Sequence, residues 1–400
     1  MSNRLTYFLA GILLVAVFLL AFFSIKDDSL TMDELAHLPA GYSYLTQQDM
    51  RLNPEHPPLV KDLAALPLLF IENIKFPSEI SAWQKDVNGQ WDFGRYFLYQ
   101  TGNPAEQMIF WSKIPMILLL ILLGFYIFKW AKELFGKKTA LLALFFFSFS
   151  PTFLAHGRLV TTDLGAALGV VLATYYFIKA LKSPGVKNIV IAGLVFGVAE
   201  LLKFSLILLV PLFGLMGLVW WLTKSGTFLQ TFKTGLLVFL IGIILIWPVY
   251  QYHTWNYPAE RQLQDSQIYL KDTVEPIKSV VLWMSDKPFV RAYAQYFTGL
   301  SMIFQRVAGG NTTYFLGEVS NLGWRSYFPI VYAIKEPLAF HIFTLIALLY
   351  AFCLVRRSFS GGGAIKKRVS GWLRAHFPEF SMLIFIALYW LVSIFGNLNI

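Results

Sequence analysis

"LTYFLAGILLVAVFLLAFFSI", Leu5 to Ile25, carries no charged side chain. At 1.5 Å of rise per residue, about 20 helical residues match the roughly 30 Å hydrocarbon core of a bilayer. Only "KDD" follows, with no small-residue cleavage site, so the segment reads as a retained transmembrane helix rather than a removed signal peptide. Composition agrees. Of 400 residues, 56% are hydrophobic and 14% charged, whereas soluble domains carry about a quarter charged residues. The formal charge of +10 reads as membrane orientation rather than nucleic-acid binding, because basic residues flanking apolar spans report topology. A single cysteine, Cys353, builds neither a disulfide framework nor a Cys-based metal site.

Further apolar runs predict spans at 108–128, 139–155, 164–181, 188–202, 206–222, 234–252, 337–355 and 380–396, about nine with the first, in one all-α polytopic membrane domain. One helix over 188–223 would extend roughly 54 Å, too long for one crossing. Glu200 and Lys203 interrupt that run and predict a tight hairpin there. Alternating the loops puts Arg4, "KWAKELFGKK" (129–138), "KALKSPGVK" (179–187), "KSGTFLQTFK" (224–233) and "RRSFSGGGAIKKRVSGWLR" (356–374) on one side, with Glu133 their one acid. The positive-inside rule makes that side, and the N-terminus, cytoplasmic. Two long segments, 26–107 and 253–336, then fall on the extracytoplasmic side. No internal repeat is evident, so inverted-repeat transport architecture gains no support. The last span ends at "FGNLNI" without flanking charge, an ending that suggests a truncated chain.

The outer loops hold the chemistry. In "SLTMDELAH" the Ser-Leu-Thr stretch predicts an N-cap, with Asp33 and Glu34 in the first helical turn, where the helix dipole favours their ionised forms. Such acids are often only capping groups. His37, four residues after Asp33, shares its face, and Arg51, Glu55 and His56 follow within one short loop. "NPEHPPLVKDLAALPLLF" (53–70) predicts a Pro-stiffened turn and an interfacial helix, its apolar face carrying Leu59, Leu63, Leu66 and Leu69 or Phe70. The short loop "AHGRLVTTDLG" (155–165) brings Arg158 and Asp163 to the same level. Helix-end charges often merely snorkel, but guanidinium also grips phosphate bidentately. Lys203 lies in an otherwise apolar run, where a lysine needs a partner such as Glu200 or a function. Arg325 and Lys335 lie among Trp324, Tyr327, Phe328 and Tyr332, an aromatic belt or a head-group cradle.

Cations, an acid pair and interfacial helices at one leaflet boundary fit a phosphate attached to a lipid. A carboxylate there takes a proton from an acceptor hydroxyl while Arg and Lys stabilise the departing phosphate, without requiring a metal. "TMDELAHLPAGYSYLTQQDMRLNPEHPPLVKDLAALPLL" (31–69), "HGRLVTTDLGAALG" (156–169), "LLKFS" (201–205) and "YFLGEVSNLGWRSYFPIVYAIKEPL" (314–338) resemble the membrane glycosyltransferases of the GT-C class. Nearest are the bacterial and archaeal family 39-like proteins, related to protein O-mannosyltransferases and to the lipid A aminoarabinose transferase. The resemblance spans nearly the whole chain. It implies a GT-C-type helix bundle in the cell membrane and an inverting transfer of a hexosyl or pentosyl unit. The implied donor is an undecaprenyl- or dolichyl-phosphate sugar, and the acceptor a protein, lipid or glycan. It also implies Asp33 as base with Glu34 beside it, a phosphate role for Arg158 and Lys203, and Asp163 lining the donor cavity. Arg325 and Lys335 match the end of the long outer loop without an assigned role. Family members usually continue past an Asn-Ile pair like Asn399 and Ile400 into a further outer loop and more helices.

Competing readings make different predictions. A lipid-linked-sugar flippase predicts charges at the bilayer midplane and short outer loops. A metalloprotease predicts His-Glu-x-x-His, and "DELAH" lacks it, although His37, His56 and Asp33 form a candidate metal set. An inactive truncated paralogue predicts the same bundle without turnover. No cofactor is expected, and a divalent metal is not indicated.

Overall fold

The computed structural model describes residues 1–359 and 365–397. The chain is an all-α polytopic membrane protein. Its helices are α1 (Asn3–Ser24), α2 (Met32–Gln47), α3 (Leu59–Ala65), α4 (Ser81–Gln84), α5 (Gln90–Tyr99), α6 (Ala105–Phe135), α7 (Lys137–Ser148), α8 (Pro151–His156), α9 (Thr162–Lys182) and α10 (Val186–Leu202). There follow α11 (Leu209–Leu222), α12 (Phe228–His253), α13 (Ala259–Tyr269), α14 (Glu275–Ser285), α15 (Arg291–Gly309), α16 (Tyr327–Lys335), α17 (Leu338–Phe359), α18 (Ile365–Ala375) and α19 (Phe377–Phe395). Seven segments among the described residues are long and apolar enough to cross a bilayer: α1, α6, α9, Phe204–Leu222, α12, Leu338–Arg357 and α19.

One expected span takes another form. Residues 139–155 form two helices, because Pro151 lacks an N–H and restarts the backbone as the first residue of α8 under a Ser150 cap. The 188–202 stretch belongs to α10, a helix of 17 residues. At Lys203 the long apolar run breaks into a 3-10 turn, Phe204–Leu208, before α11.

The described residues form two compact units. The first comprises Met1–Tyr176, Ile191–Leu206 and Phe239–Ile303. One apolar cluster joins Val17 and Ala21 of α1, Ile117 and Leu120 of α6, Leu144 and Phe147 of α7, and Leu164 and Leu168 of α9. Beside it, α2 packs between α3 and α5. Both approaches need glycine: a Cβ on Gly41 would lie 2.1 Å from the Lys61 carbonyl oxygen, and one on Gly94 2.0 Å from that of Leu35. Helix α3 turns Val60, Ala64 and Ala65 inward and is followed by a 3-10 turn with Leu68 buried. Leu66, Leu69 and Phe70 stay exposed, an apolar outer face of the kind an interfacial segment presents to lipid.

The second unit comprises Phe177–Val190, Ile207–Val238 and the described residues from Phe304 onward. The hairpin Thr313–Phe315 with Glu318–Ser320 is the only strand structure among the described residues. In that unit Trp220 of α11 meets Phe377 of α19 edge-on at 4.8 Å, and Tyr332 of α16 meets Trp390 of α19 at 5.5 Å.

Candidate functional site

The first unit gathers most of the candidate residues where α1 ends and α2 begins. Thr31 precedes α2, and its backbone N–H donates to Glu34 Oε2 at 2.8 Å, closing the first turn as a capping box does. The Thr31 hydroxyl donates to the same oxygen at 3.1 Å. Glu34 Oε1 accepts from the Val160 N–H at 2.9 Å. One turn along α2, His37 Nδ1–H donates to the Val160 carbonyl at 2.8 Å. Spacing of three residues puts both side chains on one helical face, and together they satisfy both polar groups of Val160. The short segment between α8 and α9 is thereby clipped to α2.

That clip brings its neighbours along. Two residues before Val160, Arg158 donates from Nη1 to the Ser24 carbonyl at 2.7 Å and to Asp28 Oδ2 at 2.6 Å. Lys113 of α6, fully buried, reaches the same Asp28 oxygen at 2.6 Å and lies 3.7 Å from Glu34 Oε2. Three residues after Val160, Asp163 pairs with Lys203 at 2.5 Å. Glu200 does not pair with Lys203; it is buried and accepts from the Tyr296 hydroxyl at 3.0 Å. The correction follows from direction: Lys203 occupies the break between α10 and the 3-10 turn, while Glu200 is still on α10 and faces α15.

Asp33 and Glu34 are adjacent but differently placed. Glu34 is inaccessible and its oxygens are occupied, whereas Asp33 is exposed on the first turn of α2. His37 is buried, its ring 5.1 Å from that of His56. Burial, and then the charge on Lys61, push its imidazole down to about 4, so it is neutral at pH 7 with its proton on Nδ1. Lys61 is buried as well. Its ammonium donates to the Tyr44 hydroxyl, to the Asn53 backbone and side-chain oxygens, and to the His56 carbonyl, at 2.8 to 3.1 Å. Burial nonetheless pushes it down to about 7, against the opposing pull of Asp62.

The other expected residues are held elsewhere. Arg51 is spent on Asp49 and on the Trp83 carbonyl at 2.9 Å, its guanidinium 4.3 Å from the centre of the Trp83 ring. Glu55 accepts from Gln90 at 3.0 Å. Arg325 and Lys335 are exposed in the second unit, Arg325 5.5 Å from the centre of the Phe395 ring. Among the described residues no group of three His, Cys, Asp or Glu is arranged to hold a metal.

Sequence reading missed Asp28, Lys113 and Lys61. The signal for Lys113 was present, since it is a lone lysine in a predicted span, the argument applied to Lys203. Its partner Asp28, 85 positions away, has no such signal.

The first unit thus holds an exposed carboxylate, Asp33, and two cation–carboxylate pairs, Arg158–Asp28 and Lys203–Asp163, groups able to accept a proton and to neutralise an anion. No curated protein and no solved structure matches the chain. Residues 101–252, from just before α6 almost to the end of α12, match the family model described as dolichyl-phosphate-mannose-protein mannosyltransferase.

Proposed function

We propose that the protein moves a sugar from a polyprenyl-phosphate donor, undecaprenyl or dolichyl, to an acceptor hydroxyl on the outer face of the cell membrane, with inversion at the anomeric carbon. Its N-terminus is cytoplasmic. The matched family's description names a dolichyl-phosphate-mannose donor and a protein acceptor; for this chain the transferred group is a hexosyl or pentosyl unit, and the acceptor a protein, lipid or glycan. The observation that carries the reading is the contrast at the start of α2: the Asp33 side chain is open to solvent while Glu34 beside it is buried.

Asp33 takes the proton as the acceptor oxygen attacks the anomeric carbon from the face opposite the phosphate. The bond from that carbon to the phosphate oxygen breaks, and the lipid monophosphate leaves with the bonding pair. Arg158 and Lys203 neutralise the charge that builds on the leaving oxygen, where prepaid electrostatics lower a barrier most effectively. Their pairing with Asp28 and Asp163 keeps each cation oriented before the donor arrives. Glu34, His37 and Asp163 hold the loop that carries Arg158, and so act as positioning residues.

The test offers radiolabelled polyprenyl-phosphate sugars and membrane acceptors to the purified chain and to Asp33→Asn. Transfer by the wild type, with a loss of at least a hundredfold in the variant, is the expected result. Equal transfer by both would remove Asp33 as the base.

A further inference from the structure

A second polar site lies wholly within the second unit and apart from the chemistry above. Helix α18 is joined to the end of α11 by a bond from Arg374 Nε–H to the Thr223 carbonyl. Between them opens a cavity of about 630 Å³, within the size range of small-molecule sites. Lys224, Lys366, Lys367 and Arg374 line it, and no acid does. The nearest acid along the chain, Glu379, pairs with His376 at 3.3 Å. The remaining wall is apolar: Val219 and Leu222 from the last turn of α11, Val369 and Leu373 from α18.

The surroundings fix the depth of this cavity. Helix α11 ends there, α19 starts there, and α17 closes with Arg356 and Arg357 just before α18. Three apolar segments of membrane length, Phe204–Leu222, Leu338–Arg357 and α19, therefore have an end beside α18, which places the cavity at a membrane surface. Four cations with no acid among the described lining residues, over an apolar wall at that depth, match a phosphodiester whose chains run back into the bilayer. We propose that the cavity binds the head group of an anionic phospholipid, with the four cations around its phosphate and the apolar wall along the first carbons of its chains. A free anion would use the same cations but not the wall.

Native mass spectrometry of the purified full chain tests this, with phosphatidylglycerol, phosphatidylcholine and inorganic phosphate as probes. Wild type is expected to retain phosphatidylglycerol at least tenfold more tightly than phosphatidylcholine. The variant Lys224→Gln/Lys366→Gln/Lys367→Gln is expected to lose that preference, and a control removing three charges elsewhere (Lys137→Gln/Lys138→Gln/Lys187→Gln) to keep it. Gly371→Leu supplies an independent check. Gly371 lines the cavity, and a Cβ there would meet nothing within 4 Å, so leucine occupies the space with charge unchanged and helix propensity improved. It too is expected to weaken retention at least tenfold. Equal retention of both lipids, loss in the control as great as in the cavity variant, retention unchanged in Gly371→Leu, or full displacement by millimolar phosphate would each overturn the lipid assignment.

Discussion

Glu34 accepts from Thr31 twice and from Val160 once, and stands 3.7 Å from the buried Lys113 ammonium. Removing it strips a buried cation of one of its two acids and leaves the Val160 N–H without a partner. Breaking a buried charge pair from one side costs about 3–5 kcal/mol. Glu34→Ala is therefore expected to lower stability by about that much in thermal unfolding of detergent-purified protein. Asp33→Asn, on the exposed side of the same turn, should stay within about 0.5 kcal/mol of wild type. An Asp33→Asn variant that unfolded as readily as Glu34→Ala would merge the two roles that the structure separates. His37 supplies a pH dependence. Its folded pKa, about 4, lies below its ordinary 6.5, so between these values the unfolded chain binds a proton that the folded chain refuses. Stability thus falls as pH drops from 6.5 towards 4, by about 3 kcal/mol in all for a shift of this size. His37→Gln, which keeps a donor for the Val160 carbonyl, should show a shallower acid slope when unfolding is compared at pH 7 and pH 4.5; identical slopes would contradict the assignment. At this scale the sequence was legible for charge and spacing, and blind to backbone partners. The expected shared face of Asp33 and His37 did not form, because His37 turns inward with Glu34 while Asp33 stays exposed, and nothing in a linear chain identifies Val160, whose two backbone groups Glu34 and His37 bind.

Helix α2 is the element on which the site depends, because α3 and α5 grip it through two bare glycines. The atoms facing Gly41 and Gly94 are backbone carbonyls of Lys61 and Leu35, which do not swing aside as side chains do. Gly41→Ala must push α3 away from α2, and Lys61 would lose register with Tyr44 and Asn53. Overpacking of this kind costs about 1–3 kcal/mol, and the displaced loop should lower transfer activity more than the stability loss alone accounts for. Activity and melting temperature measured together would check this, and an unperturbed variant would show that the contact is looser than described. Element existence was legible because apolar runs of bilayer length have few other readings. Element ends were not. Residues 139–155 carry no charge and are mostly apolar, yet one helix ends before Pro151 and another starts at it. Helix α6 runs from Ala105 to Phe135, well past the expected 108–128, since its polar ends add helical turns without adding hydropathy.

At the scale of the whole chain, composition alone indicated a membrane protein, and seven bilayer-length apolar segments agree. Sidedness rests on a different quantity, the distribution of Lys and Arg among loops, and it makes a definite prediction. Helix α6 has 31 residues, roughly 46 Å at 1.5 Å per residue, and so overshoots the hydrocarbon core at both ends. The segment before it mixes acids and bases, while the segment after it, "KWAKELFGKK", holds four basic residues and one acid. Insertion retains such a basic cluster on the cytoplasmic side. With Cys353, the one native thiol, replaced by serine, Glu79→Cys and Lys138→Cys each place a single thiol at an exposed position on either side of α6. In intact cells a membrane-impermeant maleimide should label the first and spare the second until the membrane is opened. The reverse pattern would turn the bundle over and carry Asp33, Arg158 and Lys203 to the cytoplasmic leaflet. Any donor would then have to be presented from the cytosol, and the transfer proposed above would run on the wrong face of the membrane.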